Sequence, residues 1–196
     1  DEISEAIVGA LKVSLNIQLE TTQKRITATN IEAHDAYLRG RYLVAQRSWD
    51  SIEGAILEFE KAIALDPDYA LAHAELALAT LILTGYSDLT DTEAAARATP
   101  HVEQAMALDP NLAEAHAAKG MLLSGQGAYE ETLTAYERAI QINPNYSNAY
   151  TWKAYILSQI GRYAEKGSLQ ETALRLDPLS NPAISNYVGS LRQRNR

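Results

Sequence analysis

The sequence predicts an all-α chain, folded as a right-handed superhelix of antiparallel helical hairpins. Its clearest sign is a recurring tripeptide: Leu65-Asp66-Pro67, Leu108-Asp109-Pro110, Ile142-Asn143-Pro144 and Leu176-Asp177-Pro178, with prolines 43, 34 and 34 residues apart. Proline lacks a backbone N–H and biases the residue before it away from helical angles, so each tripeptide marks a helix end. Each stop also closes a run rich in Ala and Leu, the residues that favour helix most. The interval between stops holds two helices and their turn, the period of stacked helical hairpins.

Composition narrows the function classes. The 196 residues are 46% hydrophobic, enough for a sizeable core, and they include no cysteine, so disulfides, thiolate metal sites and Cys nucleophiles are excluded. A net charge of −8 argues against duplex nucleic acid and against anionic membrane as partners. No run of 18 apolar residues occurs, and the chain starts Asp1-Glu2-Ile3-Ser4-Glu5 rather than with a cationic leader, so we expect no membrane span and a cytoplasmic setting.

The elements follow in order. Thr29-Asn30-Ile31-Glu32 and Thr90-Asp91-Thr92-Glu93 both fit the capping box at a helix start. Residues 33–69 place Gly40, Ala55, Phe59 and Ala62 before Pro67. Residues 70–112 carry Ala77, Ala105 and Pro110, with a first turn around Gly85-Tyr86-Ser87-Asp88 that is nine residues too long. Pro100 falls inside the second helix of this unit and predicts a kink near Ala98–Thr99 or a split. Residues 113–146 are the most regular unit, with Gly120, Tyr129, Tyr136, Ala139 and Pro144 in register. Residues 147–180 keep Ala154, Gly161, Tyr163, Ala173 and Pro178, but put Lys153, Lys166 and Gln170 where apolar or small residues are expected, which predicts looser packing.

This pattern resembles the tetratricopeptide repeat, over roughly residues 31–196, with four repeats spanning 31–180. Residues 181–196 read as one more helix, either a cap or half of a fifth hairpin, with Ile184, Tyr187, Val188 and Leu191 on one face. At the other end, Ile3, Ala6, Ile7, Ala10 and Leu11 recur at helical spacing and Val13, Leu15, Ile17 and Leu19 alternate like a strand. Residues 1–30 thus read as a remnant of an upstream α/β domain plus a linker. Together with Asp35-Ala36-Tyr37-Leu38-Arg39-Gly40-Arg41-Tyr42-Leu43, this resembles bacterial signalling regulators in which a TolB-like domain precedes tetratricopeptide repeats.

The resemblance implies a protein–protein interaction scaffold whose first helices line a concave groove. Its groove-facing positions here are His34, Tyr37, Arg41 and Val44, then Leu71, Ala74, Leu78, Leu81 and Ile82, then Glu114, Ala117, Met121 and Ser124, then Asn148, Thr151, Tyr155 and Gln159. The centre of that groove reads as apolar and suited to the hydrophobic face of a helix or peptide. A competing reading has the long turn after Leu83 fold back over the leucines. The chain's own N-terminal helix is a candidate occupant, in cis or by exchange within a homodimer. The family's clamp for a terminal carboxylate needs basic side chains where this chain has Tyr37, Arg41, Glu75, Glu114 and Ala118, so a clamp is not expected. In the alternative reading the repeats are a regulatory module of a multidomain signalling enzyme such as a nucleotide cyclase, mediating intramolecular or oligomeric contacts.

Catalysis is not expected. His73 and His116 occupy equivalent sites usually filled by aromatics, no two histidines have the spacing of a zinc helix, and Gly120, Gly125 and Gly127 lack the Lys-Ser/Thr of a phosphate loop. Asp66, Asp109 and Asp177 read as helix terminators. No cofactor or metal is expected.

Overall fold

The computed structural model describes residues 31–194, and the expectations for residues 1–30 lie outside the described residues. Among these there are nine α-helices and no strand: α1 Ile31–Gln46, α2 Trp49–Leu65, α3 Ala70–Leu83, α4 Asp91–Leu108, α5 Ala113–Gly125, α6 Tyr129–Ile142, α7 Ser147–Gln159, α8 Tyr163–Leu176 and α9 Asn181–Arg194. Short turns pair α1 with α2, α5 with α6 and α7 with α8, a longer one pairs α3 with α4, and each second helix packs on the first helix of the next hairpin. First helices also touch one another, α3 on α5 most extensively. The result is a helical-repeat superhelix.

The Asp/Asn-Pro stops work through side-chain chemistry as well as through proline. The first residue of each pair leaves the helix in an extended conformation while its N–H still bonds the carbonyl four residues back. Its Oδ1 then accepts the N–H two residues on: Asp68 to Asp66 at 3.3 Å, Asn111 to Asp109 at 2.9 Å, Asn145 to Asn143 at 3.0 Å and Leu179 to Asp177 at 3.2 Å. This Asx turn reverses the chain into the next helix. The proline carbonyl is then met from the first turn of that helix, by His73 Nε2 on Pro67 (3.0 Å), His116 Nε2 on Pro110 (3.0 Å) and the Tyr150 hydroxyl on Pro144 (3.1 Å). His73 is buried and packs as well as tying the turn to α3, whereas His116 makes the same tie to Pro110 from a more exposed site.

The expected capping box at Thr90 is present, with Glu93 N–H donating to Thr90 Oγ1 (3.2 Å) and Thr90 N–H to Glu93 (3.0 Å). A second one, at Ser48 and Ser51, was not legible because Ser stands where Glu or Gln is usual. The helix split at Pro100 does not occur. α4 runs unbroken from Asp91 to Leu108, because Pro100 and Ala96, whose carbonyl loses its partner, both lie on the exposed side while Ala94, Ala98, Val102 and Ala105 face the core.

The core is small-residue packing around a few large rings. Phe59 of α2 lies against Gly40 of α1, and Tyr136 of α6 lies against Gly120 of α5, so closely that a Cβ at either glycine would sit 2.6 Å from the ring. In the last hairpin Lys166 and Gln170 are buried, 8% and 5% exposed. Gln170 Nε2 donates to the Asn186 carbonyl of α9 at 3.1 Å, which joins α8 to α9, while its Oε1 is buried without a hydrogen-bond partner. Lys153 pairs with Glu137. In α9, Ala183 is buried, whereas Ile184 and Val188 are exposed rather than lying on the packed face.

Gly120→Ala is expected to lower stability by about 1–3 kcal/mol in urea denaturation, because a fully enclosed ring must move. Gly167→Ala, in the middle of α8 with nothing within 4 Å of the added carbon, is expected instead to gain up to about 1 kcal/mol from helix propensity.

Candidate partner-binding groove

The first helices α1, α3, α5 and α7 carry every residue expected in the groove, but the structure uses several of them for packing. Ala74 lies among Ala105, Leu112 and Ala115; Leu78 lies among Ala77, Ala98, Val102 and Ala118; Ala117 lies among Ala113, Tyr136 and Ala149. All three are buried, Leu78 only 2% exposed, so none can meet a partner side chain. The apolar centre expected from the sequence is therefore consumed by contacts between successive hairpins. Leu71, Ile82, Leu81 and Met121 are half-buried against the same clusters. The long turn does fold back, but Leu89 packs against the core shared by α1, α2 and α3, a cluster that does not include Leu78. Tyr37 is buried too, its ring 5.1 Å from that of Tyr69 and 6.1 Å from that of Phe59.

A polar floor occupies the middle instead. Tyr37, Arg41, Glu75, Glu114 and Tyr146 act on one another electrostatically. The Arg41 guanidinium lies 5.9 Å from the centre of the Tyr37 ring. Burial pushes the Glu75 carboxyl up to about 7; Arg41 and Arg47 hold it down and Glu114 pushes it further up. Burial also drives Tyr37 and Tyr146 well above the ordinary tyrosine value. Four of the five positions compared with the carboxylate clamp thus do converge, but with carboxylates where the clamp has cations.

Five groove positions come together in one cavity of about 320 Å³ where the C-terminal ends of α3, α5 and α7 meet the start of α4. Leu81, Met121, Ser124, Tyr155 and Gln159 line it with Thr84, Asp91, Ala95, Leu122, Gly125 and Tyr129. Asn148 and Arg41 lie outside it. Sequence reasoning missed Asp91 and Tyr129, because both belong to second helices and are brought in only by the turns. A larger crevice of about 490 Å³ between α6, α7 and α8 is lined by Glu130, Glu137 and Glu165 against Arg138, Lys153 and Arg162. Arg162 bonds Glu165 at 2.6 Å and approaches Glu130 to 3.6 Å, so this crevice is largely neutralised from within.

The two remaining histidine contacts are structural in geometry. His73 Nδ1 lies 3.0 Å from His101 Nδ1, and since His73 Nε2–H donates to the Pro67 carbonyl, Nδ1 of a neutral His73 accepts a hydrogen bond from His101 Nδ1–H. His34 Nδ1 meets the Tyr69 hydroxyl at 3.0 Å. Among the described residues no group of three or more His, Cys, Asp or Glu could hold a metal ion, and no helix is long and apolar enough to cross a membrane.

Glu75 gives the groove a pH signature. Its folded value of about 7 lies above the ordinary 4.5, so the folded state keeps a proton that the unfolded chain releases. Its contribution is full below pH 4.5 and lost as pH rises toward 7. Burial and the neighbouring His73 hold His101 below its ordinary value, which acts in the opposite sense, so the comparison with a variant isolates Glu75. Glu75→Gln is expected to be about 1–2 kcal/mol more stable than the parent at about pH 8 and equal to it near pH 4, by urea titration; the figure is reduced because part of Glu75 still meets solvent.

Comparison with known proteins agrees with this geometry. Family models described as tetratricopeptide repeat match residues 113–146 and 135–167. No curated protein matches the chain. Among solved structures, the chain is similar to a thermophilic TPR protein of Thermus thermophilus, with a TM-score of 0.66 and 16% identity over 91% of this chain and 96% of that one. It is also similar to pilF of Pseudomonas aeruginosa, with a TM-score of 0.57 and 26% identity over 84% and 70% of the two chains. For the first TPR domain of the human RPAP3 protein the values are 0.51 and 20%, over 68% and 95%. Repeats of this kind generally mediate protein–protein interaction. Residues 113–167 match tetratricopeptide-repeat models, and the described residues fold as an all-α helical-repeat superhelix like that of solved TPR proteins.

Proposed function

We propose that the chain is a protein–protein interaction scaffold that holds a peptide or helix of another protein, or of its own upstream segment, along the concave side formed by α1, α3, α5 and α7. The observation that carries this reading is the convergence of Leu81, Met121, Ser124, Tyr155 and Gln159, from three separate hairpins, on one open cavity next to a polar floor. Buried side chains of Ala74, Leu78 and Ala117 hold the first helices in place for it. The contact surface comprises Arg41, Glu75 and Glu114 at the centre and Met121 and Tyr155 at the edge. The resemblance of Asp35–Leu43 to regulators with a TolB-like domain favours a regulatory setting, in which the same surface holds neighbouring domains in register.

The test is selection of random peptides, each about 16 residues long or some four helical turns, displayed on phage against the chain, followed by fluorescence anisotropy with the selected peptides. Arg41→Glu and Tyr155→Ala are each expected to weaken binding about tenfold, or ~1.4 kcal/mol, with unchanged helicity. Leu57→Ala, at an exposed site on α2, is expected to have no effect. Affinity unchanged from the parent in both groove variants would place the peptides elsewhere and overturn the reading.

A further inference from the structure

The cavity between α3, α5 and α7 differs from the rest of the groove in charge. Asp91 is the one formally charged residue among those that line it. Three helices end on it, and none of α3, α5 and α7 has a basic residue in its last turn. Each helix C-terminus carries about half a negative charge and each N-terminus about half a positive one, so the three ends outnumber the starts of α4 and α6 and leave a net negative charge beside the Asp91 carboxylate. The two sets are close: a carbon built on Gly125, at the end of α5, would lie 3.9 Å from Cβ of Asp91. The rings of Tyr129 and Tyr155, 39% and 52% exposed, supply the kind of face that attracts a cation. Leu81, Met121 and Leu122 supply apolar wall. At about 320 Å³ the cavity sits at the small end of ligand pockets, which run from about 300 Å³, so it admits one long side chain rather than the face of a helix.

We propose that this cavity receives a single basic side chain, arginine or lysine, from the bound partner. The aliphatic stem lies on Leu81, Met121 and Leu122, and the charge rests against Asp91 and the two tyrosine rings. The internally paired crevice at α6–α8 has no such surplus of negative charge. This rests on the reading of the concave side as a peptide-binding face, and it names the residue that such a peptide must offer.

N-acetyl-arginine methylamide, N-acetyl-lysine methylamide and the uncharged N-acetyl-norleucine methylamide, titrated into the chain and followed by NMR, test it without requiring any peptide. The cationic probes are expected to shift Tyr129 and Tyr155 ring resonances saturably, and the norleucine probe to bind about tenfold more weakly; the better cationic probe identifies arginine or lysine. Asp91→Asn, which leaves the Thr90–Glu93 cap intact, is expected to cost the cationic probes about tenfold and the norleucine probe nothing. Tyr155→Leu is expected to cost the cationic probes about threefold. Equal binding of norleucine, no saturable shift at either ring, or shifts at Tyr37 and Tyr146 instead would each overturn the proposal. Should selected peptides bind in the groove yet tolerate loss of every basic residue, this inference fails while the scaffold reading stands. Should the probes bind and no peptide do so, the reverse holds.

Discussion

The structure depends on how closely two helices of a hairpin can approach. Phe59 and Tyr136 lie against Gly40 and Gly120 at distances that leave no room for a methyl group. That contact sets the separation of α1 from α2 and of α5 from α6, and rows of fully buried alanines let the next hairpin follow at the same spacing. Because each hairpin contacts mainly its neighbours, the stack is held by repeated local contacts rather than by one central core. A ring that fits only over glycine therefore has effects well beyond its own pair of helices.

The same economy of space explains the groove. Small side chains on first helices bring α3 onto α5, and the leucine between them, Leu78, is then enclosed by alanines and Val102. What is left for a partner is whatever points away from these seams. Around the centre that is Arg41, Glu75 and Glu114; at the helix ends it is Leu81, Met121 and Tyr155. Polarity at the centre and a confined apolar-aromatic cavity at the edge replace a continuous greasy strip; on the proposed reading such a surface selects by charge and by one inserted side chain.

The last hairpin shows what happens when the repeat pattern lapses. Lys166 and Gln170 remain buried, because the backbone of α8 still follows the repeat and α9 closes over it. Gln170 uses one half of its amide on the Asn186 carbonyl, and the other half is buried unpaired. Polar groups at such a seam hold α9 by a directional bond, where the first and third hairpins are ordered by a ring over glycine.

Helix ends, the hairpin period and the Asp/Asn-Pro turns were legible in the residues, since proline and Asx chemistry act within a few positions of the chain. The first-helix groove candidates came from the resemblance to the tetratricopeptide repeat rather than from the residues' own pattern. Which of those candidates stay open was not legible, since Ala74, Leu78 and Ala117 are closed off by helices from the neighbouring turns of the chain. Nor was the place of Asp91 and Tyr129, which belong to second helices and reach the cavity only because α4 and α6 begin where α3, α5 and α7 end. Local backbone chemistry is written in short stretches of sequence; solvent access is a property of the whole stack, and only the packed helices decided it.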